Sequence, residues 1–483
     1  SQSLLLKSRA EQDDRIRKKR HFPFLCTFNK KIQFLMNNIL KKINSSPLLK
    51  NTAKLVSANI FMSLIPLVVT PIISRIYSPD KFAEWGIFSS LFTITFVILH
   101  FCYEHAIVRC KKEELANMTA LNVLVSTFVI LFMLVVFAIG EYAEVKFFVE
   151  FPQKNFLFAY FAITALLVIF QQTANREGKY NLMVIGSMTI GISQATLRIL
   201  LGIFVIFSNG LIAGTIFAQL AALLFFTAAL FKYYNKDFFR DITFKGIADV
   251  ARKYKKFPIY DAPATLMAFA ASNTPIIILS LYFSKPEIGC YSMIIHLLFM
   301  PITFIGSGMG KVYYQQISQN SNDDERKINE LSLKVIKTTA LISVMPTLFL
   351  VLGGDKLTAM FLGDQWVIAD KMILCLSLWS IPTILTEPLR FIYRYRGKQN
   401  ILLRFNALYF TASACSLLIS CSIGLSIFVT LIIFTLSTTT VKTLLFCNIL
   451  KQTGVRFSQI GAINKILWLI CVALLVVRLY FIF

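Results

Sequence analysis

Hydrophobic and polar positions divide the chain into long apolar runs separated by mostly short polar connections. A helix needs roughly 20 mostly apolar residues to cross a bilayer. Runs of that kind lie near 53–74, 86–108, 117–139, 155–174, 181–208, 210–231, 261–283, 288–310, 332–352, 367–388, 403–423, 425–448 and 466–483. The pattern predicts an all-α polytopic membrane protein with twelve spans, and 466–483 is a further candidate that reaches the chain end almost without a polar flank.

One stretch of this pattern occurs twice. VVTPIISRIYSPDKFAEWGIFS (68–89) and SNTPIIILSLYFSKPEIGCYSM (272–293) both leave an apolar run through Thr-Pro-Ile-Ile and pass a Tyr, a Ser and a Pro followed by an acid. Both re-enter apolar sequence at a glycine, with Pro71 opposite Pro275 and Gly86 opposite Gly289. Six spans separate equivalent points, an even number, so both copies cross the membrane in the same direction. Such copies are parallel repeats about an axis along the membrane normal.

The expected organisation is a basic N-terminal segment (1–52), an N-lobe (53–231), a basic linker (232–260), a C-lobe (261–448) and a C-terminal segment (449–483). Prolines punctuate the first helix of each lobe: Pro66 and Pro71 in one, Pro258, Pro263 and Pro275 in the other. A proline removes a backbone hydrogen bond and gives a helix a place to bend. Prolines are also common in membrane helices, but matched interruptions in two halves point toward a substrate path.

Composition agrees with the pattern: 56% of the 483 residues are hydrophobic and the mean hydropathy is +0.66, far from the composition of a soluble domain. A formal charge of +24 would suit a nucleic-acid binder, so its placement decides. With the N-terminus in the cytoplasm, the cytoplasmic segments hold 39 Lys and Arg, 13 of them before residue 55, against six in the opposite loops. This is the positive-inside asymmetry of a membrane protein, and it removes the need for nucleic acid.

The first 35 residues lack the order of a signal peptide, and Met36 opens a basic amphipathic lead into the first span. We expect translation to begin at Met36. The nine cysteines show no CxxC and no Cys/His cluster of zinc spacing, so no disulfide, metal or cofactor is expected. No phosphate-binding GxxxxGK[ST] and no HExxH occurs; work on a substrate must draw on gradients or on the substrate itself.

At this point the residues resemble a known family. LIPLVVTPIISRIYSPDKFAEWGIFSS, CYEHAIVRCKKEELANMTALNVLV, QQTANREGKYNLMVIG and RKYKKFPIYDAPATLMAFAASNTPIIILSLYFSKPEIGCYSM are similar to the polysaccharide-export or O-antigen flippase family (Wzx-type), over roughly residues 50–400. That family belongs to the multidrug/oligosaccharidyl-lipid/polysaccharide (MOP) superfamily. The resemblance implies two six-helix bundles forming a V around a central cavity. It also implies flipping of a polyprenyl-diphosphate-linked oligosaccharide across a bacterial inner membrane by alternating access, with glycan polymerase machinery as a possible partner.

A diphosphate-linked sugar needs cations for its phosphates and hydrogen-bonding groups for its hydroxyls. Arg198, midway along the fifth span, is the first candidate: Arg at mid-helix costs about 2.5–3.5 kcal/mol on insertion scales, so it should face the interior. Gln194 lies one turn earlier on the same face. Lys442 follows a Ser-Thr-Thr-Thr run in the twelfth span and offers a second cation, or snorkels to the interface. Arg75, at the outer end of the first span beside the repeated turn, is placed to meet the diphosphate on release or to anchor at the interface. Arg390 and Arg394 follow Glu387 at the cytoplasmic end of the tenth, positioned to receive a diphosphate or to bind anionic lipid.

Glu104 and His100 share a face if the second span stays helical through them, and the pair suits proton coupling or a structural salt bridge. Asp261 is read as the cap that starts the seventh span.

Rival readings are a drug or cation antiporter of the same superfamily, a peptidoglycan-precursor flippase, and a glycan polymerase or glycosyltransferase. An antiporter for organic cations would want acids in its cavity, whereas Arg198 and Lys442 suit an anion. An enzyme should carry paired carboxylates on a sizeable loop, and the longest internal connection is short and basic.

Overall fold

The computed structural model describes residues 65–66, 68–231, 238, 240–320, 325–460, 473–474 and 476; for 299–305, 307–308, 311, 319–320, 344–357 and 359 it describes the backbone alone. The N-terminal segment, the start at Met36 and nearly all of the candidate span 466–483 lie outside the described residues.

An opening helical stretch through 68–76 is followed by α1 (Pro79–Leu99), α2 (Leu115–Tyr142), α3 (Lys154–Arg176), α4 (Tyr180–Phe204) and α5 (Gly210–Leu230). A short amphipathic helix, α6 (Phe244–Lys253), precedes α7 (Ala262–Tyr282), α8 (Lys285–Asn320), α9 (Glu325–Leu362), α10 (Val367–Leu389), α11 (Gln399–Ser422) and α12 (Ile427–Thr453). Among the described residues, nine helices are long and apolar enough to cross a membrane.

The local chemistry explains most helix ends. Pro79 opens α1, where its missing N–H costs nothing. Asn209 caps α5 by accepting from the Leu211 amide at 3.1 Å. Gly454 ends α12 at φ 69, a left-handed conformation glycine adopts without strain. Helices α8 and α9 run well past the apolar stretches 288–310 and 332–352. At 1.5 Å per residue they are about 54 and 57 Å long, so they project beyond a hydrocarbon core of about 30 Å. The apolar pattern marks only the part of a helix that lipid covers.

Within the first half, α5 packs against α3 and α4; within the second, α10 packs against α8, α9 and α12, and α11 against α7 and α12. The halves meet where α1 lies against α7 and α8. An apolar cluster spans this junction, with Phe82 and Trp366 edge to face at 5.1 Å between centroids and Leu211 and Leu279 fully buried beside them.

The described part of the linker, from Asp241 on, is docked against the first half. Thr243 caps α6 through the Gly246 amide, the Asn117 side chain accepts from the Thr243 amide and donates to the Asp241 carbonyl, and Tyr103 donates to the Ala251 carbonyl at 3.2 Å.

Two local expectations require correction. The second span does not run through 86–108: α1 stops at Leu99, Phe101 and Cys102 take left-handed backbone conformations (φ 46 and 61), and a four-residue turn resumes at Glu104. The helical register that would align His100 with Glu104 is therefore lost. Asp261 is also not a cap. It ends a turn of π-helix, Phe257–Asp261, that runs into α7 with helical backbone and no capping bond from its side chain.

Candidate functional site

Arg198 is 8% exposed on α4. Its guanidinium lies over the Trp85 ring of α1 at 4.9 Å and donates to Thr215 Oγ1 of α5 at 2.8 Å. Gln194, one turn earlier, donates to the same hydroxyl at 3.4 Å, as the shared helical face requires. The backbone carbonyl of Arg198 accepts from Tyr77 at 2.6 Å, which fixes this turn of α4. No described carboxylate pairs with the guanidinium; an aromatic face and a hydroxyl hold it. Arg198 and Gln194 line a cavity of about 320 Å³ with Pro66, Thr70, Trp85 and His296.

In the second half, Lys442 on α12 lines a cavity of its own. Its ammonium is 3.6 Å from Glu387 and 5.1 Å from the centre of the Tyr409 ring. The other carboxylate oxygen of Glu387 is 3.1 Å from Arg390. These three charged groups line a cavity of about 290 Å³ together with Ser272, Tyr291 and Trp379, whose indole donates to Tyr409 Oη at 3.0 Å. Two cations against one anion leave this lining positive.

A third cavity of about 300 Å³ lies between the halves. It shares Trp85 and His296 with the first and Ser272, Tyr291 and Ile295 with the second. The three volumes thus border one another, from Arg198 through a polar middle of Ser89, Ser90, Thr93 and Asn273 to Lys442. Trp85 and His296, edge to face at 5.3 Å, stand at the first junction.

The other expected residues lie elsewhere. Arg75 donates to the carbonyls of Met360 at 2.8 Å and Phe361 at 3.3 Å, the last turn of α9. That is the ordinary role of a cation at a helix C-terminus, here joining one half to the other. Trp366 donates to the Ser74 carbonyl at 2.9 Å beside it, and Gln365 bonds the same oxygen. Arg394 is exposed on the turn Phe391–Tyr395 and does not line the cavities described. His100 and Glu104 are buried, but neither lines these cavities.

Pro275 lies inside α7 and lines the Lys442 cavity. Pro263 stands in the first turn of α7, directly after the π-turn. Pro66 borders the Arg198 cavity, and Pro71 is within the opening helical stretch, its carbonyl accepting from Arg75 at 2.7 Å.

His296, Trp85, Thr215, Trp379 and Tyr409 escaped the sequence reading. For His296 the signal was present: one ionisable residue inside the apolar run of the eighth span, the same criterion that selects Arg198. For the aromatic residues no such signal exists, because their period and composition match ordinary core.

The chain is similar to several solved structures. An inward-facing multidrug resistance MATE family transporter of the MOP superfamily matches with a TM-score of 0.63 at 14% identity, over 81% of this chain and 94% of that one. The lipid II flippase MurJ in an inward closed conformation matches with a TM-score of 0.65 at 13% identity, over 88% and 97%. A MOP superfamily transporter from Pyrococcus furiosus, whose binding pocket is described as reversed in polarity, matches at 0.55 and 14% identity, over 83% and 95%. No curated protein matches the chain.

With the helix order and repeats above, these likenesses define an all-α polytopic membrane protein with the MOP transporter fold. The family model for polysaccharide biosynthesis protein matches residues 72–370. The chain belongs to that family.

Proposed function

We propose that this protein is a flippase that moves a polyprenyl-diphosphate-linked oligosaccharide, an O-antigen or capsular repeat unit, from the cytoplasmic to the periplasmic leaflet of a bacterial inner membrane by alternating access. The observation that carries this reading is the chain of bordering cavities with Arg198 at one end and Lys442 with Arg390 at the other. A diphosphate requires cations that hydrocarbon cannot supply. Arg198, held by an aromatic face instead of a carboxylate, keeps its donors available for an anion. The hydroxyl and aromatic lining of the middle suits a sugar head, whose rings stack on aromatic faces and whose hydroxyls exchange hydrogen bonds with Ser, Thr and Asn. Family membership supports a role in polysaccharide synthesis.

The same lining disfavours an exporter of organic cations, which needs a surplus of acids; Glu387 is already engaged by Lys442 and Arg390. Energetics favour the direction: a potential negative inside works on an outward-moving anion with about 2.3 kcal/mol per charge per 100 mV. The charge asymmetry of the loops supports a periplasmic position for Arg75, Ser74 and the end of α9. Their mutual contacts support a state that loads from the opposite, cytoplasmic side.

Deleting the gene and determining the leaflet of the lipid-diphosphate-linked oligosaccharide tests the reading. Loss of surface glycan with intermediate held on the cytoplasmic leaflet is expected. Unchanged glycan with raised sensitivity to cationic drugs would overturn it in favour of an antiporter, and trapping of a peptidoglycan precursor would reassign the substrate.

A further inference from the structure

Away from these cavities, the break after α1 gathers three metal-binding side chains. We propose that Cys102, Glu104 and His105 form a site for one divalent transition-metal ion of the zinc class, beside the π-turn where α7 begins. One ligand atom from each residue lies within 4.8 Å of the other two, and Glu104 Oε1 is 3.6 Å from His105 Nε2. Thiolate, imidazole and carboxylate are the donors zinc takes in tetrahedral sites, and the mixture disfavours magnesium and calcium, which take oxygen alone.

The backbone explains why these near neighbours in sequence converge. On a continuous helix residues 102 and 104 point about 160° apart, which separates their side chains. Left-handed conformations at Phe101 and Cys102, consecutive and neither a glycine, turn the chain so that both residues face one point. Such conformations persist only where surrounding structure holds them, and they cluster at ligand sites.

Independent observations point to a ligand. Glu104 is 8% exposed, and its Oε2 is buried without a hydrogen-bond partner, an arrangement that costs stability unless something occupies that oxygen. Cys102 is 2% exposed, with the Thr265 side chain of α7 beside its thiol; neighbours of this kind orient metal ligands. Asp261, at the end of the π-turn, brings a further carboxylate near the same thiol. The His105 side chain is 55% exposed, which gives the ion a way in and leaves room for water as a fourth ligand. Binding replaces the Cys102 thiol proton, so one proton leaves for each ion bound.

The site sits where the first half meets the start of α7: Cys102, Tyr103 and Ala106 share an apolar cluster with Phe257 and Ala262. Metal binding therefore fixes the turn after α1 against which the start of α7 packs, independently of what the cavities carry.

The test uses the full chain in lipid nanodiscs, stripped by a chelator and titrated with Co²⁺ and with Zn²⁺. One ion per chain is expected, with a thiolate-to-cobalt charge-transfer band. Cys102→Ser should abolish the band, while Glu104→Gln and His105→Ala should each weaken binding by roughly tenfold or more. The exposed cysteines Cys415 and Cys447, changed to Ser, should leave it intact. Absence of the band, or binding unchanged in Glu104→Gln, overturns the site. Glu104→Gln keeps the shape of the side chain, so its result stands even where Cys102→Ser fails to fold.

Discussion

A Cβ built on Gly289 would lie 1.8 Å from the carbonyl oxygen of Pro79, so the start of α8 touches the start of α1 through backbone alone. The reciprocal contact is made by Gly86, whose Cβ would lie 2.1 Å from Ser292 Oγ and 2.6 Å from Ile276 Cδ1. The two glycines are the equivalent residues of the repeated stretch, and each lets its helix close on the other half. The repetition is thus explained by packing: each copy supplies one side of the junction between α1 and α8.

These contacts differ in how they can yield. Ser292 and Ile276 can change rotamer, while the Pro79 carbonyl is backbone. Gly289→Ala should therefore destabilise the protein by about 1–3 kcal/mol, the usual cost of overpacking, and Gly86→Ala by less. Thermal unfolding of both variants in detergent checks this order, and equal midpoints would contradict it.

Arg198→Lys keeps the charge but loses the planar group over Trp85 and the reach to Thr215. Because the two side chains are not interchangeable at a stacked site, we expect the variant to insert normally and to lose most of its glycan export. Export at the parental rate would restrict Arg198 to its role as a positive charge.

Glu387 couples the cations of the second half. Lys442→Gln leaves Glu387 with Arg390, a neutral lining, and export should fall at least roughly tenfold, the equivalent of about 1.4 kcal/mol. Adding Glu387→Gln frees Arg390 and should restore part of the activity. A double variant no better than the single one would exclude Arg390 as a substitute cation.

The bonds from Arg75 to the end of α9 hold the two halves together beside Ser74 and Trp366. Arg75→Ala should loosen this side. A cysteine replacing Thr70, which borders the Arg198 cavity, should then react with a membrane-impermeant thiol reagent added from the periplasmic side, in a background lacking exposed Cys415 and Cys447. Labelling at the parental level would show that Gln365 and Trp366 hold the closure without it.

Much of the architecture was legible because lipid imposes a simple rule: a spanning helix needs an apolar run of set length. The repeat, the span order and the burial of Arg198 with Gln194 beside it followed from that rule and from the cost of burying charge. Events at helix ends were harder to read. The break at Phe101 and Cys102 uses non-glycine residues in left-handed conformations, which no propensity announces, so His100 and Glu104 were aligned on a helix that ends at Leu99. The same break hid the convergence of Cys102, Glu104 and His105, whose short spacing resembles no zinc motif. Arg75 and Arg394 were chosen by charge and position alone, and their surroundings separate them from the cavities.

The most direct test of the account is transbilayer movement of the substrate itself. Purified protein in unilamellar vesicles, given a labelled polyprenyl-diphosphate oligosaccharide in one leaflet, is probed with a glycan-cleaving enzyme that cannot cross the membrane. The account predicts protein-dependent movement between leaflets that is lost in both Arg198→Ala and Lys442→Ala, each correctly folded. Movement that proceeds at the parental rate in both variants, or does not occur with the parent protein, would contradict it.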